Sequence, residues 1–131
     1  MISFTISTHY STEMIDITQK VLDVIRKGDI QNGLALVFTP HTTAAITINE
    51  NADPSVTSDM LMEINKIVPD DDSYQHLEGN SAAHIKSSLF GPGEVLIISK
   101  GHAVLGVWQG VYFCEFDGPR LRQVQIQLIG K

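Results

Sequence analysis

Residues 34–56, LALVFTPHTTAAITINENADPSV, decide the fold of this chain. They begin with the apolar run Leu34 to Phe38 and continue into a stretch rich in β-branched residues, and both patterns are typical of strands. Proline cannot donate to a sheet ladder, so we expect the chain to break at Pro40 and His41. Residues 53–55, Asp-Pro-Ser, then predict a turn and the start of a helix. Two strands followed by a helix indicate an α+β domain.

The flanking sequence predicts more elements of both kinds. Apolar alternation predicts further strands over residues 2–6, 14–18, 95–99, 106–116 and 121–129. Helical spacing predicts two to three short helices, which end near Gly28, Pro69 and Gly91. Short polar links between neighbouring strands predict two hairpins, one turning at residues 9–12 and one at residues 117–119, Asp-Gly-Pro.

The last predicted strand has two distinct faces. Apolar residues at 124, 126 and 128 alternate with glutamines at 123, 125 and 127. One face therefore belongs to the core and the other is polar. A glutamine face fits either a solvated sheet surface or a wet interface between subunits, and the sequence leaves both open.

Composition limits the classes of function. A chain of 131 residues with 43% hydrophobic and 18% charged residues fits one globular domain over residues 1–131. Nine Lys and Arg against fifteen Asp and Glu, a net charge of −6, disfavour nucleic acid as a partner. The single Cys114 favours a reducing compartment, and no apolar run is long enough to span a membrane, so we expect a cytoplasmic protein.

Three histidines are candidate metal ligands. His41, His76 and His84 come from a strand end, a polar loop and a helix start. Imidazole is a common ligand for divalent metals, and catalytic sites often use three protein ligands with one open position. Their spacing is not a compact signature, so each could equally be a surface or hydrogen-bonded residue. For His9 and His102 we accept that simpler interpretation.

Other polar residues are candidates for catalysis or binding. Glu50 enters a turn directly from a strand, where burial beside a histidine would tune it as a general acid or base. Asp53 is explained well by helix capping. Arg120 is a candidate phosphate clamp, although ion pairs across a hairpin also explain the charges around it. Motifs for nucleotide binding, serine hydrolysis and dithiol chemistry are absent.

Long motifs resemble one protein family. HTTAAITINENADPSVTSDM, YQHLEGNSAAHIKSSLFG, GVWQG and EFDGPRLRQV follow one another in this order. Together they resemble the YjbQ-like family, whose members are also labelled secondary thiamine-phosphate synthase enzymes. The chain departs from the family signature at Gly93, where Ser is usual, and at Val107, where Thr is usual.

The resemblance implies a fold, an assembly and a site. It implies an α+β fold with a mixed, strongly curved sheet, a homotrimer, and a site in which the three histidines hold zinc or another divalent ion, with magnesium an alternative for a pyrophosphate substrate. On this basis we expect catalytic roles for Asn49, Glu50, Asp53 and Arg120. The residues expected to contact the ligand are Thr42, Thr43, Asn80, Trp108, Gln109, Glu115 and Asp117.

Three functions remain open from the sequence. The first is an enzyme that joins an aminopyrimidine pyrophosphate to a thiazole phosphate and releases pyrophosphate, either as its main reaction or as a weak side activity. The second is a non-enzymatic homotrimer that binds a metal or small anion. The third is a scaffold in which the polar residues serve subunit contacts only.

Overall fold

Eight strands and three helices make up the fold in the computed structural model, which describes all 131 residues. The strands are β1 (Ile2–Ser7), β2 (Glu13–Asp16), β3 (Asn32–Phe38), β4 (Ala44–Glu50), β5 (Gly93–Ser99), β6 (His102–Ala103), β7 (Gln109–Glu115) and β8 (Leu121–Gly130). The helices are α1 (Thr18–Lys27), α2 (Pro54–Ile67) and α3 (Ser81–Phe90). The α+β class is confirmed, and so is the break between β3 and β4.

The strands form two sheets. Five strands pair in the order β1-β8-β3-β5-β6, and three pair in the order β2-β7-β4. Every pairing is antiparallel, so the mixed sheet implied by the resemblance is not what the structure has. Each strand therefore runs opposite to its neighbours in its sheet.

Neither predicted hairpin forms. β1 pairs with β8, whereas β2 pairs with β7 in the other sheet, so residues 8–12 cross between sheets. Residues 117–119 make the same kind of crossing from β7 to β8. At the first crossing, the carboxylate of Glu13 accepts hydrogen bonds from the backbone N–H groups of His9 and Tyr10, at 2.6 and 2.9 Å. Local alternation predicted these strands correctly but gave no information about their partners.

The main core lies between the two sheets and α1. It contains buried aliphatic residues from the five-stranded sheet, such as Val37 and Ile126, and Ile46 and Phe113 from the three-stranded sheet. Burying a side chain of this size stabilises the fold by about 1.5–3 kcal/mol. A smaller cluster that includes Cys114 packs on the other face of the three-stranded sheet, and burial raises the pKa of this thiol.

The helices start by different means. The side chain of Asp53 caps α2 by accepting the backbone N–H of Ser55 at 2.9 Å, as the sequence predicted. The hydroxyl of Thr18, at the start of α1, instead accepts from the backbone N–H of Val111 at 2.9 Å and so ties the helix to β7. None of the three helices is of a length and apolarity that would allow it to cross a membrane.

The outward face of the five-stranded sheet is half polar and half apolar. The alternation of β8 is confirmed, with Val124 and Ile126 buried and the glutamines facing outward. The neighbouring strands place aliphatic side chains on this same face, in register with each other and with β8. The exposed aliphatic residues that adjoin one another are Leu34, Leu36, Val95, Ile97 and Ile129, and Leu121 lies apart from them at the start of β8.

Candidate functional site

The three predicted histidines lie around one polar pocket, which we call the site pocket. It has a volume of about 370 Å³, and no hydrophobic residue lines it. Its walls are His41, Thr42, Thr43, His76, Glu78, Asn80, His84, Asp117, Arg120 and Arg122. Residues from the β3–β4 break, the loop before α3, the first turn of α3 and the crossing between β7 and β8 therefore meet at one end of the two sheets.

A hydrogen bond from the backbone of β8 holds His41. Its Nε2 accepts a hydrogen bond from the backbone N–H of Gln123 at 2.9 Å, while the hydroxyl of Thr39 donates to the carbonyl of the same residue at 3.1 Å. A neutral imidazole has one N–H, so this bond places the proton on Nδ1. Burial, and then the positive charge of Arg122, lower the pKa of His41. His41 is therefore a neutral ring whose Nδ1 is a donor.

His76 and His84 form a second, more open pair. Their ring centroids are 5.4 Å apart and the rings are perpendicular. Nε2 of His76 lies 3.9 Å from a carboxylate oxygen of Glu78, but both side chains are largely exposed, so the attraction is weak. His84 also borders two adjoining pockets, one running toward Pro92 and the other toward Tyr74. It is thus the central residue of a larger cleft.

A buried ion pair forms the floor of the site pocket. Arg122 and Glu115 are 4% and 0% exposed, and Glu115 accepts from both Nε and Nη2 of the arginine. The hydroxyl of Thr8 donates to the same carboxylate at 2.7 Å, and Nη2 of Arg122 donates to the hydroxyl of Thr43 at 2.8 Å. Burial acts to raise the pKa of Glu115, but these hydrogen bonds, the backbone N–H of Asp117 and the arginine charge outweigh it and lower that pKa.

A second cationic group lies at the rim. Nη2 of Arg120 donates to the carboxylate of Asp117 at 2.8 Å, and its Nε donates to the backbone carbonyl of the same residue at 2.7 Å. The side-chain amide of Asn80 also donates to this carboxylate, at 2.9 Å. The amide oxygen of Asn80 is buried and has no hydrogen-bond partner, the only such side-chain atom in the chain. The site thus contains an acceptor that the protein itself does not satisfy.

Five predicted site residues lie elsewhere in the fold. Asn49 and Glu50 are at the far end of β4, paired with the start of β7, where Gln109 lies. The seven residues of β4 span ~20 Å, which separates this end from the site pocket. Trp108 is 61% exposed there, and Asp53 is engaged in capping α2. Within one chain, the predicted site residues therefore lie in two groups, at opposite ends of the β4–β7 pair.

The predicted metal site is only partly assembled. No group of three or more His, Cys, Asp or Glu side chains is close enough to enclose a metal ion. Nε2 of His41 is engaged with β8, whereas His76 and His84 share the pocket wall. The three-histidine site stays a prediction, and His76 and His84 are the two members whose positions favour it.

Comparison with known proteins places the chain in a family. The family described as UPF0047 protein YjbQ-like matches residues 2–131. The chain belongs to the YjbQ-like UPF0047 family. The chain is 49% identical to the UPF0047 protein YugU of Bacillus subtilis over 126 residues, which cover 95% of this chain and 96% of that protein. A relative from Methanocaldococcus jannaschii is 45% identical over 130 residues, covering 99% and 94%.

Solved structures of YjbQ-like proteins share the fold. An uncharacterised protein of this family from Clostridium acetobutylicum superimposes with a TM-score of 0.97 at 49% identity, covering 98% of this chain and all of that one. A YjbQ-like protein of unknown function from Sulfolobus solfataricus has a TM-score of 0.96 at 32% identity, covering 99% and 96%. These likenesses establish the family and the fold of the chain.

Sequence reasoning missed Arg122. The sequence predicts Arg120 as the phosphate clamp and ion pairs among the charges around it. Those pairs form, Arg120 with Asp117 and Arg122 with Glu115, although not across a hairpin, and Arg122 proves to be buried. A signal was present: Arg122 falls on the face of β8 that alternates with the glutamines, among Val124 and Ile126. An arginine in a core position needs a buried anionic partner, and Glu115 is that partner.

We predict that Glu115→Gln destabilises the fold by about 3–5 kcal/mol at neutral pH, because it leaves the Arg122 charge buried without its carboxylate. In the wild type, the pKa of Glu115 is lower in the folded state than its ordinary value of 4.5. Its contribution is therefore complete above that ordinary value and is lost as the pH falls through the folded-state pKa. Urea unfolding should show that the difference in the free energy of unfolding between wild type and variant becomes smaller in acid. Glu63→Gln, on exposed helix surface, is the control, and an equal effect of both variants would contradict the prediction.

Proposed function

We propose that the chain is an enzyme that acts on a small phosphorylated molecule in the site pocket with the help of a divalent cation. The observation that carries the proposal is the composition of the pocket wall. Three histidines and two arginines, brought from different elements, surround a cavity that no hydrophobic side chain lines. A wall of this kind suits a charged ligand, and it lacks the apolar surface that an uncharged aromatic ligand requires.

The arginines supply the anion-binding part. Both guanidinium groups are held by carboxylates, Arg120 by Asp117 and Arg122 by Glu115, so their positions are set before a ligand arrives. Donors fixed in advance stabilise developing negative charge without the cost of reorganisation. The Nδ1–H of His41 adds a neutral donor. These residues would bind and orient phosphate oxygens.

The histidine pair would hold the cation. His76 and His84 offer imidazole nitrogens on one wall, and the unsatisfied amide oxygen of Asn80 is an acceptor in the same pocket. This donor set of nitrogen and oxygen fits zinc, and His41 would join it only by giving up its bond to Gln123. When bound, such a cation neutralises charge on a departing phosphate group.

Thiamine-phosphate formation is the specific reaction we propose. Both of its substrates carry phosphate groups and it releases pyrophosphate, which matches the polar pocket. Its aminopyrimidine and thiazole rings need apolar walls, which the site pocket of one chain does not provide. Trp108 is exposed on a different part of the surface, so a ring wall would have to come from another subunit.

One observation favours a second candidate, a binding protein without catalysis. Asp117 in the pocket wall and Glu115 beneath it are both paired with arginines, and the third carboxylate, Glu78, is largely exposed. Glu50, predicted as the general acid or base, lies at the far end of β4. No free carboxylate is therefore enclosed with the ligand, and a metal or anion could be held without being transformed.

We also propose that the chain assembles as a homotrimer through the outward face of the five-stranded sheet. Leu36 and Val95 are direct neighbours on this face, and Leu34 lies between Ile97 and Ile129. All five are more than one-third exposed. A contiguous exposed aliphatic patch is typical of an interaction surface. The adjoining glutamines would form hydrogen bonds at the rim of the interface.

For the metal, we predict that protein purified without an affinity tag and dialysed against zinc retains one ion per chain, and that the His76→Ala, His84→Ala double variant retains far less. Loss of two imidazole ligands removes most of the binding free energy. His102→Ala, an exposed histidine outside the pocket, is the control. Metal analysis that finds equal zinc in all three proteins would remove the ligand assignment.

For the reaction, we predict that the wild type with zinc or magnesium forms thiamine phosphate from the two phosphorylated precursors, as measured by chromatography of the product. Arg120→Gln should lower kcat/KM by about tenfold or more, since it removes a positive charge that attracts the phosphorylated substrates. Glu50→Gln tests whether the far end of β4 takes part. If zinc binds but no product forms, the second candidate, a binding protein without catalysis, is supported instead.

For the assembly, we predict that Leu34→Glu, which places a charge between Ile97 and Ile129 in the middle of the aliphatic patch, converts the homotrimer into monomers of 14.4 kDa. Burying an unpaired carboxylate in an apolar interface is costly. Light scattering coupled to size-exclusion chromatography measures the mass. Met62→Glu, on exposed surface of α2, should leave the mass unchanged. A wild type that is monomeric at all concentrations would overturn the assembly proposal.

A further inference from the structure

We propose that Arg122 is the residue that fixes the phosphate group of the ligand, through its Nη1 nitrogen, and that Arg120 has a separate, mainly electrostatic role. This inference rests on the proposed function, because it assumes a phosphorylated ligand in the site pocket. It assigns the position of the anionic group to the buried floor of the pocket rather than to its rim.

The hydrogen bonds of Arg122 leave one nitrogen free. Nε and Nη2 donate to Glu115, and Nη2 also donates to the hydroxyl and carbonyl of Thr43. Nη1 has no partner in the protein, although the side chain is only 4% exposed. The only buried side-chain atom without a partner is Oδ1 of Asn80, so Nη1 of Arg122 remains accessible to solvent. Since Arg122 lines the site pocket, Nη1 is a donor group presented to that pocket.

The surroundings of Arg122 prevent this donor from turning away. A planar guanidinium that is bonded on two nitrogens to a fully buried carboxylate cannot rotate without breaking both bonds. Thr8 and the backbone N–H of Asp117 hold the carboxylate in turn. The Nη1–H groups therefore have a fixed direction, which is the property that a specificity-determining donor needs.

Arg120 differs in each of these respects. Its side chain is 53% exposed, and both of its bonds go to Asp117, which lies three residues earlier in the chain. An exposed guanidinium of this kind attracts anions at a distance, and salt screens the attraction. Arg122 is buried, so its contribution is a directed hydrogen bond that depends less on ionic strength. The contribution of Arg120 to anion binding is thus expected to fall as salt is added, whereas that of Arg122 is expected to change little.

The test uses the wild-type chain and inorganic pyrophosphate as the probe. The chain has three arginines, Arg26, Arg120 and Arg122, so Arg26→Gln and Arg120→Gln assign the guanidinium ¹⁵N signals by elimination. Binding is followed at the same time by calorimetry. We expect the Arg122 Nη signals to shift in a saturable manner, at the concentrations at which heat is released, and the Arg26 signals to stay in place.

Two results would overturn the inference, and they differ in what else they overturn. Heat of binding without movement of the Arg122 signals would reject the role of Nη1 and leave the anion pocket of the proposed function intact. Absence of heat and of any shift would reject both.

A second arm removes the buried pair as a unit. The Glu115→Gln, Arg122→Gln double variant leaves no uncompensated charge, so its fold is expected to be far less damaged than that of Glu115→Gln. Its affinity for pyrophosphate should fall by about tenfold or more at both low and high salt. The matched control, Asp23→Asn with Arg26→Gln, removes an exposed ion pair outside the pocket. A folded double variant that binds as tightly as this control would also overturn the inference.

Discussion

The buried pair of Arg122 and Glu115 is the interaction on which the rest of the structure depends. The arginine lies on β8 of the five-stranded sheet and the glutamate on β7 of the three-stranded sheet, so the pair ties the two sheets together at one end. Burying two charges costs several kcal/mol per ion unless nearly every donor and acceptor is satisfied. Here Thr8, Thr43 and a backbone N–H satisfy all of the pair except the Nη1 nitrogen of Arg122. The fold itself therefore holds Arg122 and Thr43 in place in the wall of the site pocket.

Much of the secondary structure could be predicted from local chemistry, whereas the strand pairing could not. Alternation identified β8, and Asp53 followed by Pro54 identified the start of α2, because both signals act within a few residues. Residues 117–119 have the composition of a hairpin turn, yet the strands on either side belong to different sheets. Pairing is determined by which apolar faces meet in the core, and that information lies outside any local segment.

The site, like the strand pairing, could be predicted from the sequence only in part. The chemical type of His41, His76 and His84 predicted that they would work together, and the structure places all three on one pocket. The resemblance grouped Glu50 and Trp108 with them, but a rigid strand ~20 Å long separates these residues within one chain. The alternation of β8 places Arg122 in a core position, but the sequence does not show that Glu115 is the buried partner of this arginine.

The distance along β4 constrains how a complete site can be built. A strand whose first residues are buried in two cores cannot bend to bring its ends together, so Glu50 and Trp108 can reach a site pocket only when a second subunit presents them. The aliphatic patch on the outer sheet would position such a neighbour. In the proposed homotrimer, each subunit would present one end of its β4–β7 pair to the site pocket of a neighbour. A polar pocket with fixed phosphate donors in one chain would then gain its aromatic wall from the next, and ring-containing phosphates would be bound only by the assembled protein.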